Sequence, residues 1–140
     1  MQGWLVPPPH EPIKSRAQLE RERIAKVRWL EKQGLLRSRR MKSSLLKVPR
    51  EDLIPRDYRD DAYLEVPLPL PGENATISCP HSYPLFCEPL KLDLGQRFVE
   101  IGAGSGYGAA VAREIVGSEG LSLCGECVAY EKRGLSVRQA

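Results

Sequence analysis

The stretch Arg97-Phe98-Val99-Glu100-Ile101-Gly102-Ala103-Gly104-Ser105-Gly106 decides the fold. Its apolar run from Phe98 to Ile101 is short and ends in glycine, which reads as a strand of a parallel sheet. Gly102, Gly104, Gly106 and Gly108 follow at alternate positions, and Ala109 to Val116 then resumes a helical pattern that Gly117 ends. Strand, glycine turn and helix in that order let the backbone approach a ligand without side-chain collision. The helix behind the turn offers free N–H groups and the positive end of its dipole. A nucleotide-like ligand is implied. The spacing is not the dinucleotide fingerprint, because Tyr107 stands where its third glycine belongs, and no Gly-Lys-Ser or Gly-Lys-Thr follows to make a P-loop.

Beyond the helix, Gly120 introduces a second apolar run, Leu121 to Cys124, with an acid at Glu126, and the charged segment Tyr130 to Arg138 is expected to begin another helix. Strand, helix, strand, helix is the opening of a doubly wound, mostly parallel sheet of the α/β class. Glu126 lies 24 residues after Gly102, near the offset at which an acid ending the second strand accepts hydrogen bonds from ribose hydroxyls. Glu126 is therefore the expected ribose ligand.

Toward the N terminus, Pro84 and Pro89 interrupt the pattern from Pro80 to Leu92, so a helix there must be short or kinked. Residues 49–75 contain five prolines and few periodic signals, which predicts a long ordered loop with a short strand near Tyr63 to Val66. Ser15 and Gln18 fit a capping box, and Ile24, Val27 and Leu30 share one face of the helix that follows, up to Gly34. A shorter helix is expected from Ser38 to Leu46, ended by Pro49. Pro7, Pro8, Pro9 and Pro12 make residues 1–14 an extended or disordered lead-in. The expected organisation is thus a Pro-rich lead-in over 1–14, N-terminal helices over 15–48 and the first part of a ligand-binding domain over 49–140.

Composition narrows the class without choosing a function. The 140 residues are 41% hydrophobic and 28% charged, ordinary for one globular domain. Residues 1–60 carry 15 Lys and Arg against 8 Asp and Glu, while the remainder is acidic. The basic residues are interleaved with apolar ones at helical spacing, as on a solvated helix face, so no nucleic-acid partner is expected. The start, MQGWLVPPPHEP, lacks the basic and apolar regions of a signal peptide, and no run of about 18 apolar residues could span a membrane. A cytoplasmic location and reduced cysteines are expected. Cys124 and Cys127 form a CxxC, but no second pair supplies the remaining ligands of a tetrahedral zinc, so no metal site is expected. Asp57, Asp60 and Asp61, with Arg56 and Arg59, read as an exposed charged turn.

The acid-x-Gly-x-Gly-x-Gly spacing from Glu100 to Gly106 resembles the cofactor motif of the S-adenosylmethionine-dependent methyltransferases. Further segments narrow the likeness: Leu46-Lys47-Val48-Pro49-Arg50-Glu51-Asp52 with Ile54-Pro55, Ala62-Tyr63, Pro67-Leu68-Pro69-Leu70, and Thr76-Ile77-Ser78-Cys79-Pro80-His81. In order and spacing these resemble the successive signatures of the protein-L-isoaspartate O-methyltransferases, over residues 15 to about 138. The resemblance implies a Rossmann-like methyltransferase fold of which only the N-terminal part is present, the chain reading as C-terminally truncated. It implies S-adenosyl-L-methionine as cofactor and, as function, methyl transfer to the free carboxyl of L-isoaspartyl residues in damaged proteins, a repair reaction. By the same resemblance Ser78 is tied to catalysis, Thr76 and Ile77 belong to the cofactor pocket, and Glu100, Gly102, Gly104, Gly106 and Glu126 hold the cofactor. The alternatives are a non-catalytic remnant and a methyltransferase of the same fold with another acceptor. A monomer is expected unless a partner completes the sheet.

By residue type alone, Ser78 would serve as a loop hydroxyl capping a helix that begins near Pro80, and His81 as a hydrogen-bonding framework residue rather than a base. The implied chemistry suits such a sparse site. A substrate carboxylate with a reference pKa of about 4 is ionised at neutral pH, so no general base is needed to create the nucleophile. Two departures from the family pattern, Pro84 with Pro89 and Gly125 before the acid of the second strand, are expected to loosen the pocket floor.

Overall fold

The computed structural model describes residues 6–72, 75–127 and 138–139. Its first helix, α1 (Arg16–Lys32), starts at the capping box: the Ser15 hydroxyl accepts from the Gln18 N–H at 3.3 Å, and the Gln18 side chain accepts from the Ser15 N–H at 2.7 Å. Leu19, Val27 and Leu30 are its buried residues, whereas Ile24 is half-buried. Gly34, at φ 71°, follows in the left-handed region that ends helices. Helix α2 (Arg39–Lys47) is capped by the Ser38 hydroxyl, which accepts from the Met41 N–H at 3.1 Å. The Ser44 hydroxyl of α2 donates to the Val111 carbonyl at 2.5 Å and so fixes α2 against the glycine-turn helix.

The described residues of the 49–75 stretch contain no long helix, as their prolines predict, but their content differs from the expected strand near Tyr63. One turn of 3-10 helix covers Arg50–Asp52 and two cover Arg56–Asp61, and the strand falls later. There β1 (Leu68–Pro69) pairs antiparallel with β2 (Thr76–Ile77), Leu68 opposite Ile77. Leu68 at 0% exposure and Ile77 at 1% explain the choice, because burial of those side chains outweighs the β propensity of the Tyr63 segment. Helix α3 (Ser82–Cys87) is short and passes into a 3-10 turn at Glu88–Leu90. Pro84 and Pro89 both stand in first turns, where proline costs no hydrogen bond.

The sheet is formed by β3 (Arg97–Gly104), β4 (Leu121–Cys127) and β5 (Arg138–Gln139), in the order β3-β4-β5, with both pairings parallel. Helix α4 (Tyr107–Val116) crosses between β3 and β4 and covers one face, where the Ser122 hydroxyl donates to the Ala109 carbonyl at 2.8 Å. On the opposite face Val99 is 63% and Ile101 89% exposed. The helix expected over Tyr130 to Arg138 lies outside the described residues except for Arg138, which is in β5. Cys79 and Cys87 are free thiols, whereas Cys124 is disulfide-bonded, which departs from the expectation of reduced cysteines. Among the described residues no helix is long and apolar enough to cross a membrane.

The turn at residues 56–61 corrects a further expectation. Asp60 is not exposed but 2% accessible, and its carboxylate accepts from the Ile13 N–H at 2.6 Å and the Lys14 N–H at 2.8 Å. The lead-in is thereby strapped to the body of the protein, and Lys14 Nζ adds a bond to the Asp60 carbonyl at 2.6 Å. Burial pushes the Asp60 carboxyl up, but the two N–H donors and Arg59 together outweigh it and leave the group below its ordinary value. A carboxyl lowered on folding contributes stability above its unfolded pKa and loses it as pH falls through the folded value. Asp60→Ala is expected to cost about 2–4 kcal/mol, since it removes charge-assisted bonds and orphans two backbone donors. Urea unfolding at neutral pH checks this, and the difference from wild type should shrink in acid.

Candidate functional site

The glycine turn is shaped by close approach. Gly104 has φ +55°, and a Cβ there would stand 3.1 Å from Leu70 Cδ1 and 3.5 Å from the Thr76 carbonyl oxygen. The β1–β2 pair is thus laid directly on the turn, and only a residue without a side chain lets it settle there. Gly106, at φ +76°, occupies the cap position of α4 and provides no side-chain cap, so the first N–H groups of α4 depend on other partners. A Cβ at Gly102 would meet nothing within 4 Å, so the space beside the end of β3 is open.

Glu100 supplies one of those partners. A Cβ at Gly108 would lie 2.5 and 2.6 Å from the two Glu100 carboxylate oxygens, which shows the carboxylate folded over the first turn of α4. Burial raises the Glu100 pKa, and the Ala109 N–H, by hydrogen bonding, only partly offsets that. Oε2 is buried without a hydrogen-bond partner. A carboxyl raised on folding contributes stability below its unfolded pKa and loses it as pH rises through the folded value. Glu100→Gln keeps an acceptor for Ala109 and removes the charge, so its thermal midpoint should gain on wild type from about pH 4 to about pH 8. Parallel midpoint curves would show that no such penalty exists.

The Thr76-Ile77-Ser78 segment crosses above this turn. Thr76 is exposed, Ile77 is a core residue at 1% exposure, and Ser78 is half-buried. Ser78 is held through its carbonyl, which accepts from Arg50 Nη2 at 2.7 Å. It does not cap the next helix: α3 begins at Ser82 after His81, with no side-chain cap bond. His81 stands as a hydrogen-bonding framework residue, its Nδ1 bonded to Glu65 Oε2 at 2.5 Å. Lys26 Nζ donates to the other Glu65 oxygen at 2.8 Å. Burial pushes the Glu65 carboxyl up, but Lys26 and His81 outweigh it and hold the group below its usual range.

Of the residues singled out in the sequence, Thr76, Gly104 and the turn through Gly106 are brought together, with Ser78 next to them in the chain. Glu100 faces its own helix, Ile77 faces the core, and Gly102 borders open space. Glu126 is in β4, but its side chain lies outside the described residues. Gly125 borders open space too, a Cβ there meeting nothing within 4 Å. Among the described residues no group of three or more His, Cys, Asp and Glu could hold a metal ion. Beneath the site lies a buried polar set, Arg50, Glu51, Tyr63, Tyr83 and Tyr107, to which the sequence assigned no role, and within it Tyr63 donates to Glu51. Arg50, Glu51 and Tyr63 stand in segments that carry the family resemblance, but nothing local in the chain shows that they meet.

Comparison with known proteins puts this geometry in context. The family model described as protein-L-isoaspartate(D-aspartate) O-methyltransferase matches residues 21–132. A protein-L-isoaspartate O-methyltransferase of Methanopyrus kandleri is 45% identical over 100 residues, 71% of this chain and 43% of that protein. Protein-L-isoaspartate O-methyltransferase 1 of Archaeoglobus fulgidus is 44% identical over 122 residues, 84% of this chain and 55% of that protein. A solved protein-L-isoaspartate O-methyltransferase superposes with a TM-score of 0.64 at 34% identity, over 74% of this chain and 33% of that one. A beta-aspartate methyltransferase from Plasmodium falciparum, solved in complex with S-adenosyl-L-homocysteine, also reaches 0.64, at 22% identity, over 73% of this chain and 47% of that one. That second likeness speaks for the Rossmann-like fold alone. The chain spans about half the length of the curated relatives it matches.

Proposed function

This chain belongs to the protein-L-isoaspartate(D-aspartate) O-methyltransferase family, and from that premise we propose that it carries the cofactor turn and the substrate-facing Ser78 segment of an enzyme that methylates the free carboxyl of L-isoaspartyl residues in damaged cytoplasmic proteins. What supports the reading is the seating of the Thr76 carbonyl and Leu70 on Gly104, which sets the Ser78 segment beside the glycine turn.

The residues present fit S-adenosyl-L-methionine. The space beside Gly102 is open, and Gly106 leaves the first turn of α4 without a side-chain cap. Gly102, Gly104 and Gly106 would hold the cofactor through their backbone, with Glu126 as the acid for its ribose and Thr76 along its edge. Ile77 would serve by anchoring β2 in the core. When bound, the cofactor supplies an electrophilic methyl group on a sulfonium centre.

What the chain's own residues contribute is positioning. A substrate carboxylate is ionised at neutral pH, so no side chain need remove a proton. Ser78 donates its hydroxyl proton in a hydrogen bond to one carboxylate oxygen and so aims the other, while the β1–β2 segment keeps water from the reacting atoms. Alignment of this kind supplies several kcal/mol of barrier reduction, on the order of 7 when it is complete.

Calorimetric titration with S-adenosylhomocysteine, followed on the same sample by methyl transfer to an isoaspartyl peptide and to its normal aspartyl counterpart, tests the reading. Binding with transfer to the isoaspartyl peptide alone is the expected result. Binding with transfer to neither peptide would point to another acceptor, and no binding would show that this chain is not by itself a working enzyme.

A further inference from the structure

Arg50 is the bulkiest fully buried side chain among the described residues, 1% exposed. A buried guanidinium is costly unless its donors are satisfied in good geometry, so its presence calls for a physical reason. Its Nε donates to the Ala62 carbonyl and its Nη2 to the Ser78 carbonyl, each at 2.7 Å, while Nη1 is buried without a hydrogen-bond partner. Its centre lies 5.7 Å from the Tyr83 ring and 5.4 Å from the Tyr107 ring, and those rings meet edge to face with centroids 4.7 Å apart. Tyr107 is the first residue of α4, immediately behind Gly106. One rigid, planar group therefore spans the loop at Ala62, the backbone of Ser78 and the residue that follows the glycine turn.

Packing alone would not require this arrangement, because apolar side chains of similar volume fill buried sites at no desolvation cost. A planar fork that donates to carbonyls on two separate segments fixes the distance between them, which a lysine ammonium cannot do. We infer that Arg50 is a positioning residue for methyl transfer, holding the Ser78 segment in register with the glycine turn. The inference rests on the methyltransferase reading and assigns Arg50 no contact with substrate or cofactor.

Arg50→Lys and Arg50→Gln in the full chain test it. The expected result is a fall in kcat of at least about tenfold, as small misplacements of a reacting group produce, with KM and the S-adenosylhomocysteine affinity held within about threefold. Amide hydrogen exchange should quicken at residues 76–79 while α1 and α2 keep their protection. Unchanged kcat with unchanged exchange at 76–79 would overturn the proposal. So would a uniform loss of protection in which activity falls only with the folded fraction. If neither variant folds, the wild type decides: the Arg50 Nε–H resonance should shift when S-adenosylhomocysteine and isoaspartyl peptide are both bound, and a stationary resonance overturns the assignment. A wild type that binds S-adenosylhomocysteine but transfers no methyl group to the isoaspartyl peptide sinks the isoaspartyl acceptor, whereas the exchange pattern at 76–79 still judges Arg50.

Discussion

Gly104→Val is expected to lower stability by about 2–4 kcal/mol and to weaken S-adenosylhomocysteine binding by about a hundredfold. Two independent costs combine. At φ +55° the residue sits in the left-handed region, where a β-branched side chain is strained. Its Cβ would then stand 3.1 Å from Leu70 Cδ1 and 3.5 Å from the Thr76 carbonyl, and the added methyl groups have nowhere to go unless β1 and β2 lift away. Leu70 can rotate, but the Thr76 carbonyl belongs to the paired backbone of β2 and cannot. The binding loss follows because the lifted segment is the one proposed to close over the cofactor, and about 1.4 kcal/mol corresponds to each factor of ten. Gly102→Ala is the control: it carries similar backbone strain at φ +67° but meets no protein atom within 4 Å. Its stability loss should be near 1 kcal/mol, on the order of the strain alone. Urea unfolding and calorimetry on both variants separate collision from strain, and equal losses would show that the approach of β2 to Gly104 is not what matters.

How much of this was legible beforehand depended on the range over which each residue acts. The capping box of α1, the helix α4 and the parallel strands β3 and β4 were readable because periodicity, caps and glycine turns are local. The position of β1 was not, because Leu68 and Ile77 pair across a loop and are chosen by mutual burial. Asp60 was misread for the same reason: it looks like one acid in a charged turn, and its partners Ile13 and Lys14 are more than forty residues earlier. The glycine turn itself was plain from spacing, yet the direction of Glu100 was not. An acid at the end of a strand can face a ligand or its own helix, and only the close fit over Gly108 decides. Arg50 stands in a segment that carries the family resemblance, yet its role was not legible, because it is exercised on two backbone carbonyls distant in the chain.

Ser78→Ala should leave the fold and the S-adenosylhomocysteine affinity unchanged while lowering kcat for the isoaspartyl peptide by about a hundredfold. The fold is insensitive because Ser78 is held through its carbonyl by Arg50, an interaction alanine retains. The hydroxyl caps no helix, so the usual cost of removing a capping serine does not arise. What is lost is the donor that aims the substrate carboxylate, and loss of aim appears in kcat rather than in cofactor binding. Ser78→Thr keeps a hydroxyl and should recover part of the rate, to the extent that its extra methyl group is accommodated. The pH profile gives a second readout. If the nucleophile is the substrate's own carboxylate, the rate should be flat from about pH 6 to about pH 8 in wild type and variant alike, both lying well above the ordinary carboxyl pKa. A variant that introduced a new inflection in that range would mean a protein group governs deprotonation, and His81, already bonded to Glu65, would then be the residue to replace.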